Sequence, residues 1–238
     1  MTSRIAVAVA VLAVGCGRRN FDALADGATD DDADNAMCAF TFCDRFDRDE
    51  PLAQGWDSTE LMGTVDVTLG GKFVVTLDQT GERLYLVRSL PAPTSSVAIR
   101  MRMGYSTTNA GTDCEVDLVT LRFESGACTT PFGFYIVRDG TDQLTLQETN
   151  GNATCAANRN NLIPELTAGL HDVEMRIDVG APGVARARLT IDGTMMVDAT
   201  PVQTVPASPM TLHLGGLISR NAAGAWTITY DDVVVDVQ

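Results

Sequence analysis

The chain has 238 residues, 45% of them hydrophobic, and carries a formal charge of −14 at neutral pH. That length suits one all-β domain with appendages, and the composition supplies enough apolar residues for a full core. The acidity argues against nucleic acid and anionic membrane surfaces as partners, because both are held by basic patches.

Arg4 precedes a continuous apolar run from Ile5 to Val14. The run falls well short of the roughly 20 apolar residues that span a bilayer, so its layout is that of an export signal. It ends in Leu12-Ala13-Val14-Gly15-Cys16, which resembles the lipobox of bacterial lipoproteins. Gly15 and Cys16 match the last two positions of that motif, while Ala13 stands where leucine is commonest. The resemblance implies a signal peptide over residues 1–15 and lipid on Cys16. It further implies an exported protein, anchored in the bacterial cell envelope at the outer membrane or cell surface, that meets the membrane through this lipid alone.

Residues 16–36 are dominated by Asp22, Asp26, Asp30, Asp31, Asp32 and Asp34, with Gly and Ala between them. Such a stretch buries too little apolar surface to offset its ordering entropy, and reads as a disordered acidic tether. Asp30 to Asn35 lacks the glycine and distal glutamate of a calcium hand, so neither calcium nor any other cofactor is expected there.

Residues 37–238 read as one domain of short strands. Period-2 alternation and apolar runs predict strands over 40–46, 64–69, 72–77, 83–88, 97–103, 114–123, 132–138, 143–148, 171–179, 184–191, 195–198, 210–214 and 226–237. Gly70-Gly71, Asp139-Gly140 and Asp192-Gly193 mark tight turns between them. Val97, Ile99, Met101 and Met103 share one phase and Arg100 and Arg102 the other, as a sheet with one wet face requires. In the last segment Trp226, Ile228 and Tyr230 are out of phase with Val233, Val235 and Val237, which predicts a bulge at Asp231-Asp232. The expected class is all-β, a two-sheet antiparallel sandwich.

Gly169-Leu170-His171-Asp172-Val173, the later Ile191-Asp192-Gly193 and the ending Tyr230 to Asp236 resemble the laminin-G-like, concanavalin A-like lectin/glucanase superfamily. The resemblance implies a jelly roll whose last strand pairs with one near the start of the domain, here 40–46. It gives His171 a structural role. Members of the superfamily bind sugars, cleave sugars or space other domains.

Six cysteines in an exported chain suggest disulfides. With lipid on Cys16, five remain and one is odd. Cys128 and Cys155 flank the 132–148 hairpin at similar distances and are expected to bridge. Cys38 and Cys43 are close enough to form a small loop, which leaves Cys114 as the odd thiol, and a swap between Cys43 and Cys114 in these roles is the main rival. With only His171 and His213 and no Cys-x-x-Cys pair, a zinc site is not expected.

Cys114-Glu115-Val116-Asp117-Leu118-Val119-Thr120 resembles the strand of family-16 β-glucanases that carries Glu-x-Asp-x-Glu or Glu-x-Asp-x-x-Glu. Simple alternation puts Glu115 and Asp117 on one side together with Val119, Leu121 and Phe123. Retaining hydrolysis needs a second carboxyl group as acid/base, and Val119 or Thr120 stands at that place. The expectation is therefore a protein that is not an enzyme, with Glu115 and Asp117 bonding sugar hydroxyls and aromatic platforms among Trp56, Tyr85, Tyr105, Tyr135 and Trp226. On this reading the partner is a polysaccharide or another envelope component. A degenerate or divergent glycoside hydrolase and a purely structural surface domain are the alternatives.

Overall fold

The computed structural model describes residues 40–47, 52–108, 115–124, 132–139, 143–150, 159–220 and 224–238. All belong to the unit Cys38–Gln238 and, among them, form fifteen strands and no helix. One sheet runs in the order β10 (Arg159–Ile163), β9 (Gln143–Asn150), β8 (Phe132–Asp139), β7 (Glu115–Phe123), β14 (Met210–Arg220), β5 (Arg83–Leu90) and β2 (Ser58–Met62). The other runs β13 (Thr194–Ala199), β12 (Ala187–Ile191), β11 (His171–Asp178), β6 (Ser96–Thr107), β15 (Trp226–Val237), β4 (Phe73–Leu77) and β3 (Asp66–Thr68). β1 (Phe42–Asp44) is its eighth strand and pairs with β15, Phe42 opposite Val235, as the sequence led one to expect. Every named strand pair is antiparallel, and the two sheets pack as a sandwich over one apolar core.

The expected irregularity in β15 is present. The ladder to β6 shifts between Asp231 and Val234, and Asp232 has φ 49°. This bulge reverses the phase, so Trp226, Ile228, Tyr230, Val233 and Val235 are all fully buried on one face. The Asp192-Gly193 turn joins β12 to β13 with φ values of 49° and 75°, the pair of positive angles a tight hairpin turn demands. His171 Nδ1 lies 2.7 Å from Asp192 Oδ2, and Asp192 Oδ1 accepts the amide of Asp172 at 3.0 Å. His171 thus ties the start of β11 to this turn, in agreement with a structural role.

Two strands were not anticipated, β2 and β10. Both are sheet edges, β2 is mostly exposed and β10 is largely polar, so neither carries the period-2 burial signal. β14 continues past Leu214 to Arg220, although Gly215-Gly216 reads as a breaker. A Cβ on Gly215 would stand 1.9 Å from the carbonyl oxygen of Leu84, so glycine lets β14 lie against β5 at that point. Cys43 is disulfide-bonded, with its partner outside the described residues. Cys16, Cys38, Cys114, Cys128 and Cys155 also lie outside them, as do the signal peptide and the tether.

Candidate active site on the seven-stranded sheet

The outward faces of the two sheets are built differently. On the eight-stranded sheet, arginines meet carboxylates: Arg100 with Glu174 at 3.1 Å, Arg102 with Asp231 at 3.3 Å and Arg188 with Asp178 at 3.0 Å. Such exposed pairs contribute about 0–1 kcal/mol each and serve mainly to keep a face wet. The outward face of the seven-stranded sheet instead holds buried polar atoms with no hydrogen-bond partner among the described residues. Among them are Tyr85 Oη, Thr120 Oγ1, Arg122 Nε and His213 Nδ1, with Arg83 Nε, Arg88 Nε and Thr145 Oγ1 on the same sheet. Each orphan of this kind costs about 1–3 kcal/mol, so a cluster of them calls for a reason beyond the fold.

Strand register brings these groups together. Thr120 on β7 stands opposite Tyr135 on β8 and opposite His213 on β14, giving a row across three adjacent strands. Directly opposed side chains lie about 5 Å apart at Cβ, so the row is about 10 Å long. Tyr85 on β5 packs edge-on against the His213 imidazole, with ring centroids 5.6 Å apart. Arg122 lies two residues along β7 from Thr120, opposite Thr211 on β14, and bonds the Tyr135 hydroxyl. Thr211 Oγ1 contacts His213 Nε2 at 3.2 Å, which directs that nitrogen toward the Arg122 side. His213 Nδ1 faces the other way, 4.0 Å from Glu60 Oε1 on β2.

A bulge decides which residues share this face. The β7–β8 register shifts between Asp117 and Val119, so Val116, Leu118, Val119, Leu121 and Phe123 all point into the core. Asp117 therefore shares its face with Thr120 and Arg122, and the expected company of Val119, Leu121 and Phe123 is corrected. The bulge also settles the third position of the glucanase-like pattern, which is Thr120. A threonine there cannot protonate a leaving oxygen, so retaining hydrolysis lacks its acid on this strand.

Burial sets the protonation states. Desolvation, with Glu115 adding to it, pushes Asp117 up to about 6. Burial, then the charges of Arg122 and Arg83, hold His213 down at about 4, so it is neutral at pH 7. Burial also raises Tyr85 well above the usual phenol range, and raises Tyr135. A neutral imidazole, two protonated phenols, the guanidinium groups of Arg122 and Arg83 and a carboxyl group that titrates near pH 6 thus share one face.

Of the residues singled out from sequence, Asp117, Tyr135 and Tyr85 come to this cluster, and Glu115 lies beside it, paired with Arg220. Trp56 does not. It is 6% exposed, packs edge-on against Phe42 at 4.9 Å, and its indole donates to Asp44 Oδ2 at 2.6 Å. Tyr105 lies on the other sheet and packs against the buried Trp226, at 5.8 Å between centroids. Those three aromatics serve the core rather than a ligand. Sequence reading missed Arg122, Thr120 and His213. The available signal was the polar phase of β14, where Thr211 and His213 alternate with Met210, Leu212 and Leu214.

No protein-family model matches the chain, and no curated protein sequence matches it. Among solved structures it is similar to the endo-β-1,4-glucuronan lyase of the fungus Trichoderma reesei, at 14% identity and TM-score 0.59. That match covers 84% of this chain and 96% of the lyase. Alginate lyase Aly36B matches at 9% identity and TM-score 0.57, over 82% of this chain and 96% of that one. The Crh5 transglycosylase matches at 16% identity and TM-score 0.54, over 84% and 85%. At these identities the likeness is one of fold. It corrects the expectation that the protein is not an enzyme, because the structures sharing its sandwich are mostly polysaccharide lyases and transglycosylases. That expectation rested chiefly on the missing acid/base carboxyl group of retaining glycosidases and did not weigh elimination. The domain is a two-sheet sandwich of the kind found in carbohydrate-active enzymes.

Proposed function

We propose that the domain cleaves an acidic polysaccharide by β-elimination on the outward face of the seven-stranded sheet. The observation that carries this reading is the row of Thr120, Tyr135 and His213 beside Arg122, in which Thr120 Oγ1 and His213 Nδ1 are buried without a hydrogen-bond partner among the described residues. Elimination next to a uronate carboxylate needs three functions. A cation must neutralise the carboxylate, a base must take the C5 proton, and an acid must supply the leaving oxygen. Arg122, with Tyr135 bonded to it, holds the carboxylate and stabilises the charge that develops on it. Neutral His213 accepts the C5 proton at Nε2, which faces Arg122, once the Thr211 hydroxyl turns away from that nitrogen. The C4–O bond breaks as the C4–C5 double bond forms, and the Tyr85 hydroxyl protonates the departing oxygen. No water is consumed, so the missing acid/base carboxylate is not needed.

The net charge of −14 opposes the approach of a polyanion at long range. Salt screens that repulsion beyond about 8 Å at physiological ionic strength, and within that distance Arg122 and Arg83 supply the positive charge. Asp117 adds a local pH term. Its charge repels a uronate, so activity gains as it protonates below about 6, while His213 must stay neutral above about 4. The expected kcat/KM profile is a bell with limbs near those two values.

The test is incubation of the purified protein with glucuronan, with alginate and with neutral β-glucan. Ultraviolet absorbance reports the new double bond and a reducing-end assay reports every cleavage. Absorbance rising with a polyuronate and not with the neutral glucan is expected. Reducing ends without absorbance, or no cleavage of any polyuronate, would overturn the reading.

We further propose that the enzyme is exported and anchored in the bacterial cell envelope by lipid on Cys16, with residues 16–36 as its tether. The short apolar run and the Gly15-Cys16 ending support this. Cys16→Ser should abolish labelling by radioactive palmitate. Equal labelling of the variant would refute the anchor.

A further inference from the structure

We infer that Glu60 is a positioning residue for His213, and that its carboxylate passes from Arg83 to His213 Nδ1 when Arg83 takes a carboxylate of the polymer. The inference rests on the β-elimination reading, to which it adds a step that couples substrate binding to base strength.

Three distances carry it. Glu60 Oε1 lies 4.0 Å from His213 Nδ1, while Glu60 Oε2 lies 3.5 Å from Arg83 Nη1. Both are longer than a hydrogen bond, so the carboxylate is shared loosely between the two partners. His213 Nε2 is already engaged by Thr211 at 3.2 Å, which leaves Nδ1 as the buried atom without a partner. Glu60 and Arg83 side chains are about one-third exposed, at 36% and 34%, so both have room to move. The imidazole itself is 4% exposed and wedged against Tyr85, so the carboxylate is the partner that moves.

The remaining charged and titratable groups around His213 are Arg122 and Asp117 on β7, Tyr135 on β8, and Arg83 and Tyr85 on β5. Arg83 and Arg122 both oppose protonation of the ring. Once Arg83 turns to a uronate, Glu60 becomes free to accept the Nδ1 proton. That bond fixes the tautomer with its lone pair on Nε2, and it stabilises the imidazolium that forms when Nε2 takes the C5 proton. The empty site thus holds a weak base, and a site filled by an anionic sugar holds a stronger one. A neutral sugar leaves Arg83 on Glu60 and gains nothing.

Nuclear magnetic resonance titration of the His213 ring in the full-length protein tests the coupling without substrate. Arg83→Gln should raise its midpoint by about one pH unit, a tenfold gain in proton affinity. Arg83→Gln combined with Glu60→Gln should return it close to the wild-type midpoint. If the double variant keeps the rise, loss of the Arg83 charge alone explains it and the inference is overturned.

Kinetics supply the second readout. In the wild type the acid limb of kcat should lie above that of kcat/KM, because the two report the filled and the empty site. In Glu60→Gln the two limbs should coincide and kcat should fall about 100-fold with little change in KM. A Glu60→Gln variant with wild-type kcat and separated limbs would overturn the inference while leaving β-elimination intact. Absence of any polyuronate cleavage by the wild type, with the titration results as expected, would overturn β-elimination and leave the Glu60–His213 coupling standing.

Discussion

Replacement of His213 by glutamine is expected to lower kcat on a polyuronate by about 10²–10⁴-fold, the usual contribution of a general base. KM should change little, because Arg122 and Tyr135 still hold the carboxylate. The same variant has a stability signature that separates loss of the base from loss of the fold. Burial, aided by Arg122 and Arg83, depresses His213 from an ordinary value near 6.5 to about 4. The unfolded chain therefore binds a proton between those values that the folded protein does not. Stability of the wild type falls as the pH drops through 6.5, by up to about 3 kcal/mol once the pH is below 4. The glutamine variant cannot take up that proton and should lose less stability over this range. Urea denaturation of both proteins at pH 7.5 and pH 4 measures the difference. A variant that keeps wild-type kcat would remove His213 from the mechanism.

Tyr230→Phe is expected to destabilise the protein by about 1–3 kcal/mol. The Tyr230 hydroxyl crosses the core from the eight-stranded sheet, 2.7 Å from the carbonyl of Leu118 and 2.6 Å from that of Gly215. Those carbonyls sit at register shifts of the seven-stranded sheet, one in β7 and one in β14. Phenylalanine keeps the ring stacked near Phe73, at 5.8 Å, and removes only the donor. The one phenolic proton, shared between two buried carbonyls, is then lost, at about 1–3 kcal/mol before relaxation. The bulges also set the faces of Asp117, Thr120 and His213, so activity below the unfolding transition should fall as well. Equilibrium urea curves report the first effect and initial rates the second. A change below about 0.5 kcal/mol would mean that the bulges hold without the hydroxyl.

Alternation alone was enough to place most of the strands. Val97 to Met103 and His171 to Val179 each carry one apolar phase and one charged phase, because each strand covers the core with one face and meets water with the other. The phase change at Asp231-Asp232 announced its bulge for the same reason. Edge strands such as β2 carry no such record, because an exposed strand is recruited by its neighbour's backbone hydrogen bonds and not by burial.

The candidate site was legible only in part. Asp117 and Tyr135 stood out as chemistry-bearing residues on predicted strands, and both reach the cluster. Trp56 stood out equally, yet burial and a bond to Asp44 place it in the core. The β7 bulge at Leu118 was invisible, since Leu118-Val119 is an apolar pair that fits either phase.

What the sequence determined by itself is therefore the class of the domain and its main strands, because burial writes a period of two into the chain, while the partner of its last strand was implied by the superfamily resemblance. What only the tertiary structure decided is which polar side chains meet. Thr120, Tyr135 and His213 are far apart in sequence and become neighbours through the pairing of β7 with β8 and β14. The neutral state of His213 follows from desolvation and from charges on β7 and β5, and neither exists until the sheets have formed.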